Sequence, residues 1–251
     1  MKDNRRRPEF LLVHGAWHGS WAWRELQDVL AGRGWTSHAV DLPSVVAEGA
    51  VGKLPGLLDD ARVVREKIDA VQAPLIVVGH SYGGAPVTEA TTAAANVSHL
   101  VYVSAFALDE GESLMTCFGG EQPDLATVEG IIPVRDDPEQ TLYNDVPQGA
   151  RDAALARLLP QSALSFAEPV SRAGWKTLPS SYVLCDDDRS LPPSYQEPFA
   201  LRTGTTYHLP SGHTPLLSMP DKLADILEEI ASGVTAEDAL STSPQVNAVE
   251  R

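Results

Sequence analysis

A serine set between glycines, Gly79-His80-Ser81-Tyr82-Gly83-Gly84, directly follows the apolar run Leu75-Ile76-Val77-Val78 and directly precedes a helix-like stretch. A G-x-S-x-G turn between a strand and a helix is the setting in which a serine can serve as a nucleophile. The physics is steric. The turn holds the serine in strained backbone geometry, and Gly79 and Gly83 lack the Cβ atoms that would collide there. The hydroxyl of Ser81 is thereby pushed outward, and the helix behind it points its positive end at the charge that develops on an attacked carbonyl. The bland alternative is a glycine-rich turn with an incidental serine. The flanking strand, the helix and the extra Gly84 all favour the nucleophile.

A serine hydroxyl is a weak nucleophile, so a histidine must take its proton and a carboxylate must orient that histidine. In strand-turn-helix sites of this kind the acid follows the serine and the histidine comes last. Of the seven histidines, His99, His208 and His213 lie beyond Ser81. His99 begins one apolar run and His208 lies within another, whereas His213 stands in the loop Pro210-Ser211-Gly212-His213-Thr214-Pro215. His213 is therefore the expected base. The acid is less sharply defined: Asp186, Asp187 and Asp188 follow one another, and Asp109 follows an earlier run. Asp188 is preferred because it lies furthest into its loop, while Asp186 and Asp187 can bond local amides. Asp109 stays open as the alternative.

An anionic intermediate needs two N–H donors, one from the residue after the nucleophile and one from the loop after an early strand. Tyr82 and Ala16 are the expected donors, through their backbones. Ala16 lies in His14-Gly15-Ala16-Trp17, where Gly15 permits close approach. His14 and His18 are read as structural. Trp17, beside that loop, and Trp175 are candidate substrate contacts, with Met115, Phe118 and Phe166 as weaker ones.

These residues need a scaffold. Short apolar runs at 10–13, 35–40, 75–78, 100–106, 182–185 and 205–209 alternate with helical candidates at 21–32, 59–71, 83–95 and 215–232. Strands alternating with helices imply an α/β protein with a mostly parallel sheet of about six strands and helices on both faces. In the second helix Ala61, Val64, Ile68 and Val71 share one face, as a core-facing helix requires. Between 108 and 178 the alternation breaks down into short pieces such as 148–159. Seventy residues of plain loop would be unusual in a compact domain, so the segment is expected to be a small helical cap inserted after the fifth strand. The core is then 1–107 with 179–232. The stretch 233–251, rich in Ala, Ser, Thr and acidic residues, is expected to be a loosely ordered tail.

The bulk composition narrows the partners. The chain has 251 residues, Lys+Arg 19 against Asp+Glu 34 and a net charge of −15, which repels phosphate backbones and anionic membranes. No stretch approaches the roughly 20 apolar residues needed to span a bilayer, and the apolar run behind Arg5-Arg6-Arg7 is too short for a signal peptide. Two cysteines, Cys117 and Cys185, stand far apart without metal-ligand spacing, which suggests a reducing compartment, the cytoplasm. No internal repeat is present. The expected partner is a small molecule, not nucleic acid or membrane, and the expected chemistry needs no metal or organic cofactor.

The run His14-Gly15-Ala16-Trp17-His18-Gly19-Ser20-Trp21, the Ser81 turn and the loops holding Asp188 and His213 resemble those of the α/β-hydrolase superfamily. The resemblance is to its plant methyl-esterase and hydroxynitrile-lyase branch and to bacterial esterases that include pyrethroid hydrolases. It covers 9–106 and 180–232 and is weak over the cap. It implies an α/β-hydrolase fold, a Ser81–His213–Asp188 triad and cleavage of an ester through an acyl-serine intermediate. The departures matter. The lyases carry a lysine after the catalytic histidine and a threonine in the early loop, where this chain has Thr214 and Ala16; relatives that attack with an aspartate have it where this chain has Ser81. Ester hydrolysis is the favoured implication. Cleavage of a carbon–carbon bond or lactone, or ligand binding without catalysis, stays open.

Overall fold

A computed structural model describes residues 7–241, with side-chain surroundings described through 234. Among the described residues, eight strands and the helices between them alternate along the chain. The first half runs β1 (Glu9–Val13), α1 (Arg24–Gly32), β2 (Ser37–Val40), α2 (Leu57–Ala70), β3 (Leu75–His80), α3 (Gly84–Ala90) and β4 (Val97–Val103). After an intervening segment come β7 (Ser180–Cys185), α7 (Pro193–Ala200), β8 (Thr205–Leu209), α8 (Pro215–Ser218) and α9 (Pro220–Ser241). Six of the strands form one sheet in the order β2-β1-β3-β4-β7-β8, and all its pairings are parallel.

The central strands are apolar throughout because both faces of the sheet are covered. Leu11, Val13, Leu75, Val77, Leu100, Tyr102 and Tyr182 pack on the α2–α3 side. Their neighbours Phe10, Leu12, Ile76, Val78, Val101, Val103 and Val183 pack on the side of α1, α8 and α9. Single-residue alternation therefore separates two cores, as side chains pointing to opposite faces must. Arg33, just past α1, pairs with Asp221, Asp225 and Glu228 of α9 and ties those two helices together.

The intervening segment forms a small helical cap. It holds α4 (Pro138–Thr141), α5 (Gln148–Leu155), α6 (Ala163–Ala167) and a two-stranded antiparallel ribbon of β5 (Ile131–Ile132) and β6 (Gln161–Ser162). It leaves the sheet after the fourth strand in chain order, not the fifth, since only β1 to β4 precede it.

Three expected boundaries move. α3 stops at Ala90 rather than at 95, since Thr91 turns its hydroxyl onto Val87 O and Ala93 takes a left-handed conformation (φ 58°). The last expected helix divides at Met219 (φ −139°), before Pro220, which has no N–H to continue the ladder. α9 then runs past Gly233 to Ser241, where a loose tail was expected; the rest of that expected tail, 242–251, lies outside the described residues. Among the described residues no helix is long and apolar enough to cross a membrane.

Candidate active site

Parallel strands bring their C-terminal ends to one edge of the sheet, and the loops that leave this edge carry the site. Ser81 follows β3 with φ 52°, in the left-handed region that side chains with a Cβ rarely adopt. A Cβ on Gly83 would lie 2.5 Å from His14 O, and one on Gly15 would lie 2.9 Å from Ser81 Cβ. The two loops can therefore close on each other only if both positions are glycine.

The Ser81 hydroxyl donates to His213 Nε2 at 3.0 Å, and His213 Nδ1–H donates to Asp188 Oδ2 at 2.7 Å. The Nδ1 proton is required because a carboxylate only accepts, which leaves the Nε2 lone pair facing the serine. His213 and Asp188 are both buried, with 2% and 4% exposure. Asp188 Oδ1 accepts the N–H groups of Ser190 and Leu191 at 2.7 and 2.8 Å. Burial pushes the Asp188 carboxyl up, but His213 and the donated hydrogen bonds outweigh it and hold the group below its ordinary value.

The other expected acids point elsewhere. Asp109 is ion-paired with Lys176 and Asp186 is hydrogen-bonded to His208, while Asp187 donates its N–H to Ser211 O. Ser104, which sequence reasoning missed, donates to Asp188 Oδ2 at 2.5 Å and lies 3.4 Å from His213 Nδ1. It is fully buried and on the carboxylate side of the imidazole, the wrong nitrogen for a serine that must surrender a proton. The signal was present: Ser104 immediately follows the C-terminal end of β4, where ligand-facing groups of parallel sheets collect.

His14 and His18 are structural supports. His14 donates from Nδ1 to Gly15 O and accepts Leu42 N–H at Nε2. Because a trans peptide sets C=O and N–H on opposite sides, fixing Gly15 O turns the Ala16 N–H the other way, and Ala16 itself lines the cavity. Among the described residues no protein acceptor meets that N–H. His18 donates to Ala16 O and accepts the Tyr143 hydroxyl. Burial lowers His14 to about 4 and His18 to about 3, so both are neutral near pH 7. His80 reaches back from the serine turn and donates to His213 O at 2.8 Å, anchoring the backbone of the base.

A cavity of about 80 Å³ opens beside Ser81. Ala16, Trp17, Tyr82, Phe106, Leu114, Phe166 and Leu191 give it an apolar lining, and Arg135, Ser190 and His213 line it as well. Trp17 and Phe166 are thus placed there. Trp175 is not: its indole N–H is bonded to Leu108 O at 2.8 Å, and its ring lies against Arg202 and Lys176. Met115 and Phe118 are also absent from the lining, and Phe118 packs on Phe106, Tyr195 and Phe199. A wider depression of about 430 Å³, lined by Ser20, Trp21, Arg24, Gln27, Ala39 and Arg157, lacks the serine and its partners.

Known proteins resemble this chain over most of its length. The chain is 30% identical over 245 residues to Probable hydrolase R7 from Phoma sp., covering 90% of this chain and 98% of that one. It is also 30% identical over 241 residues to a carbendazim hydrolyzing esterase from Nocardioides sp., covering 87% and 97%. A pyrethroid hydrolase structure from Sphingobium faniae shares the fold at a TM-score of 0.74, with 23% identity and coverage of 90% and 97%. The model of the alpha/beta hydrolase family matches residues 10–226, and with the parallel sheet and the serine–histidine–aspartate relay in place, the chain belongs to that family.

Proposed function

We propose that the protein hydrolyses a small, uncharged or weakly polar carboxylic ester, with Ser81 as nucleophile, His213 as general base and acid, and Asp188 as the group that orients the imidazole. The single observation that carries the reading is the unbroken relay from Ser81 Oγ through His213 to Asp188, opening onto an apolar cavity. Ser81 Oγ attacks the acyl carbon as its proton moves to His213 Nε2. The tetrahedral oxyanion takes hydrogen bonds from the Ala16 and Tyr82 N–H groups, and collapse expels the alcohol, which receives the proton from His213. Water activated by the same imidazole then releases the acid and restores Ser81.

The cavity volume, about 80 Å³, favours a short group on the side that enters it, in contact with Trp17 and Phe166. A cyanohydrin-lyase reading is disfavoured, because Thr214 offers no cation and its hydroxyl is committed to Leu142 O at 2.8 Å. We take 108–178 as the cap and 1–107 with 179–232 as the core. The cytoplasm suits the free Cys117 and Cys185.

The test is labelling with a fluorophosphonate probe, followed by turnover of esters graded in acyl and alcohol size, for the parent and Ser81→Ala. Labelling at Ser81 and a loss on the order of a millionfold in the variant are expected. Near-normal turnover by folded Ser81→Ala overturns the covalent mechanism.

A further inference from the structure

We propose that Asp60 is a positioning residue for the oxyanion hole, holding the backbones of Tyr82 and Trp17 through one buried chain of hydrogen bonds. The inference rests on the esterase reading above and adds a residue that lies outside the relay. Asp60 sits in the first turns of α2 and is fully buried, beside the apolar face that packs on the sheet. A carboxylate in such a place costs several kcal/mol unless donors surround it. It has three. Tyr82 donates its hydroxyl to Oδ2 at 2.6 Å, Ser44 donates its hydroxyl to the same oxygen, and Ser44 N–H reaches Oδ1 at 3.0 Å.

The chain continues in one direction. Ser44 Oγ accepts from Gln161 Nε2 at 2.6 Å, and the same amide nitrogen reaches Ser165 Oγ at 3.0 Å. Gln161 Oε1 then accepts the Trp17 N–H at 3.2 Å. Trp17 has φ 64°, so this hydrogen bond holds a left-handed kink immediately after Ala16. At the other end, the Tyr82 ring is clamped between its bond to Asp60 and a stack on Phe166, with centroids 5.6 Å apart and planes 17° from parallel. Both proposed oxyanion donors are therefore next to, or part of, residues tied to the Asp60 network. The network spans α2, the loop after β2, and the cap, so it fixes the distance between two loops that share no direct covalent link.

Above about pH 7, where it is ionised, the carboxylate only accepts, and it ends the chain. Every donor along the path then points one way: Gln161 toward Ser44, and Ser44 and Tyr82 toward Asp60. Burial raises Asp60 to about 7, against the pull of the Ser44 and Tyr82 hydrogen bonds. Fixed donors are effective in an oxyanion hole because they need no reorganisation when charge appears. A residue that fixes them should act on the transition state and leave ground-state binding alone.

The experiment compares the parent with Tyr82→Phe, which removes only the hydroxyl, with Asp60→Ala, and with the double variant. For each, kcat and KM for the best ester and the rate of Ser81 labelling by a fluorophosphonate are measured, with thermal melting as the check of folding. Loss of kcat and of labelling rate by about tenfold to a hundredfold in each single variant is expected. KM should stay within about twofold, and the double variant should be no worse than Asp60→Ala alone, because the two residues act as one unit. Folded variants that keep kcat and labelling rate within about twofold of the parent, or that lose activity in KM alone, overturn the inference. If Asp60→Ala fails to fold, Tyr82→Phe decides. A parent that labels at Ser81 but turns over no ester refutes the esterase reading while the labelling rates still test Asp60; a parent that does not label at Ser81 overturns both.

Discussion

Five donors converge on the Asp188 carboxylate, from His213, Ser104, Gln196, Ser190 and Leu191, and they leave it one orientation relative to the imidazole. Asparagine at 188 keeps the shape but presents either an NH₂ or a lone carbonyl to donors, and it no longer selects the tautomer with the proton on Nδ1. Asp188→Asn is therefore expected to lower kcat on the order of 10⁴-fold in a folded protein. Asp109→Asn, whose partner is Lys176 at the surface, should change kcat by less than about twofold. Steady-state kinetics on both variants decides between the two acids, and a sensitive Asp109 with a tolerant Asp188 would reverse the assignment. Ser81 and His213 could be singled out from the chain because each is marked locally, by flanking glycines and by a loop before a helix. Asp60 and Ser104 could not, because their meaning lies in partners 22 and 84 residues away, at Tyr82 and Asp188. A buried aspartate on an amphipathic helix reads in sequence as one more solvent-facing charge. Trp175 was misplaced for the converse reason: it ends the cap in sequence, yet the chain folds its indole back onto Leu108 O.

The elements that carry these side chains were legible where their period is long and weakly legible where a few contacts decide. All six strands of the main sheet fall on apolar runs. The C-terminus of α3 does not follow helix propensity, because Asn96 draws the chain away to cap Ile68 O and Val71 O at the end of α2. The cap was opaque beyond its short helices, and its most consequential stretch is irregular. Residues 142–145 hold both loops of the proposed site: Tyr143 donates to His18 behind the proposed oxyanion loop, Leu142 O accepts the Thr214 hydroxyl, and Asp145 Oδ2 accepts the Gly212 N–H at 2.7 Å. The residues on either side of His213 are thus fastened to the cap, and His80 fastens its own carbonyl from the sheet. Asp145→Ala removes the acceptor for Gly212 and frees one side of the histidine loop. A stability loss of about 1–3 kcal/mol is expected for the unsatisfied N–H, together with a fall in kcat of roughly tenfold from a looser base. Denaturant melts and single-turnover kinetics on the variant check the two effects separately. If both were unchanged, the cap would be only a cover for the cavity.

At the scale of the whole molecule, polar groups buried on both sides of the reactive serine set how stability depends on pH. Three fully buried histidines, His14, His18 and His80, are held neutral by burial, His14 at about 4, His18 at about 3 and His80 well below its ordinary 6.5. In the unfolded chain each takes up a proton near 6.5. Their contribution to stability is therefore complete above 6.5 and is lost as the pH falls toward 4 and 3. Asp60 works in the opposite sense. Raised to about 7, it favours the folded state most below its ordinary 3.8, and that contribution is lost as the pH rises through about 7. Each group is worth about 1.4 kcal/mol per pH unit inside its window. Between 6.5 and 4 these three histidines, joined by His99, which burial lowers to about 4, outnumber the one raised aspartate, so the net effect of acidification is a loss of stability. Carboxylates held low by partners, such as Asp188, add to the loss only below 3.8. The expected outcome is a melting temperature that is highest near neutral pH and falls steadily from 6.5 to 4.5, well above the range where ordinary carboxylates titrate. A melting temperature that stayed flat from 6.5 to 4.5 would mean that these imidazoles are charged in the folded protein, and it would remove the neutral acceptor and donor pattern by which His14 and His18 hold the oxyanion loop.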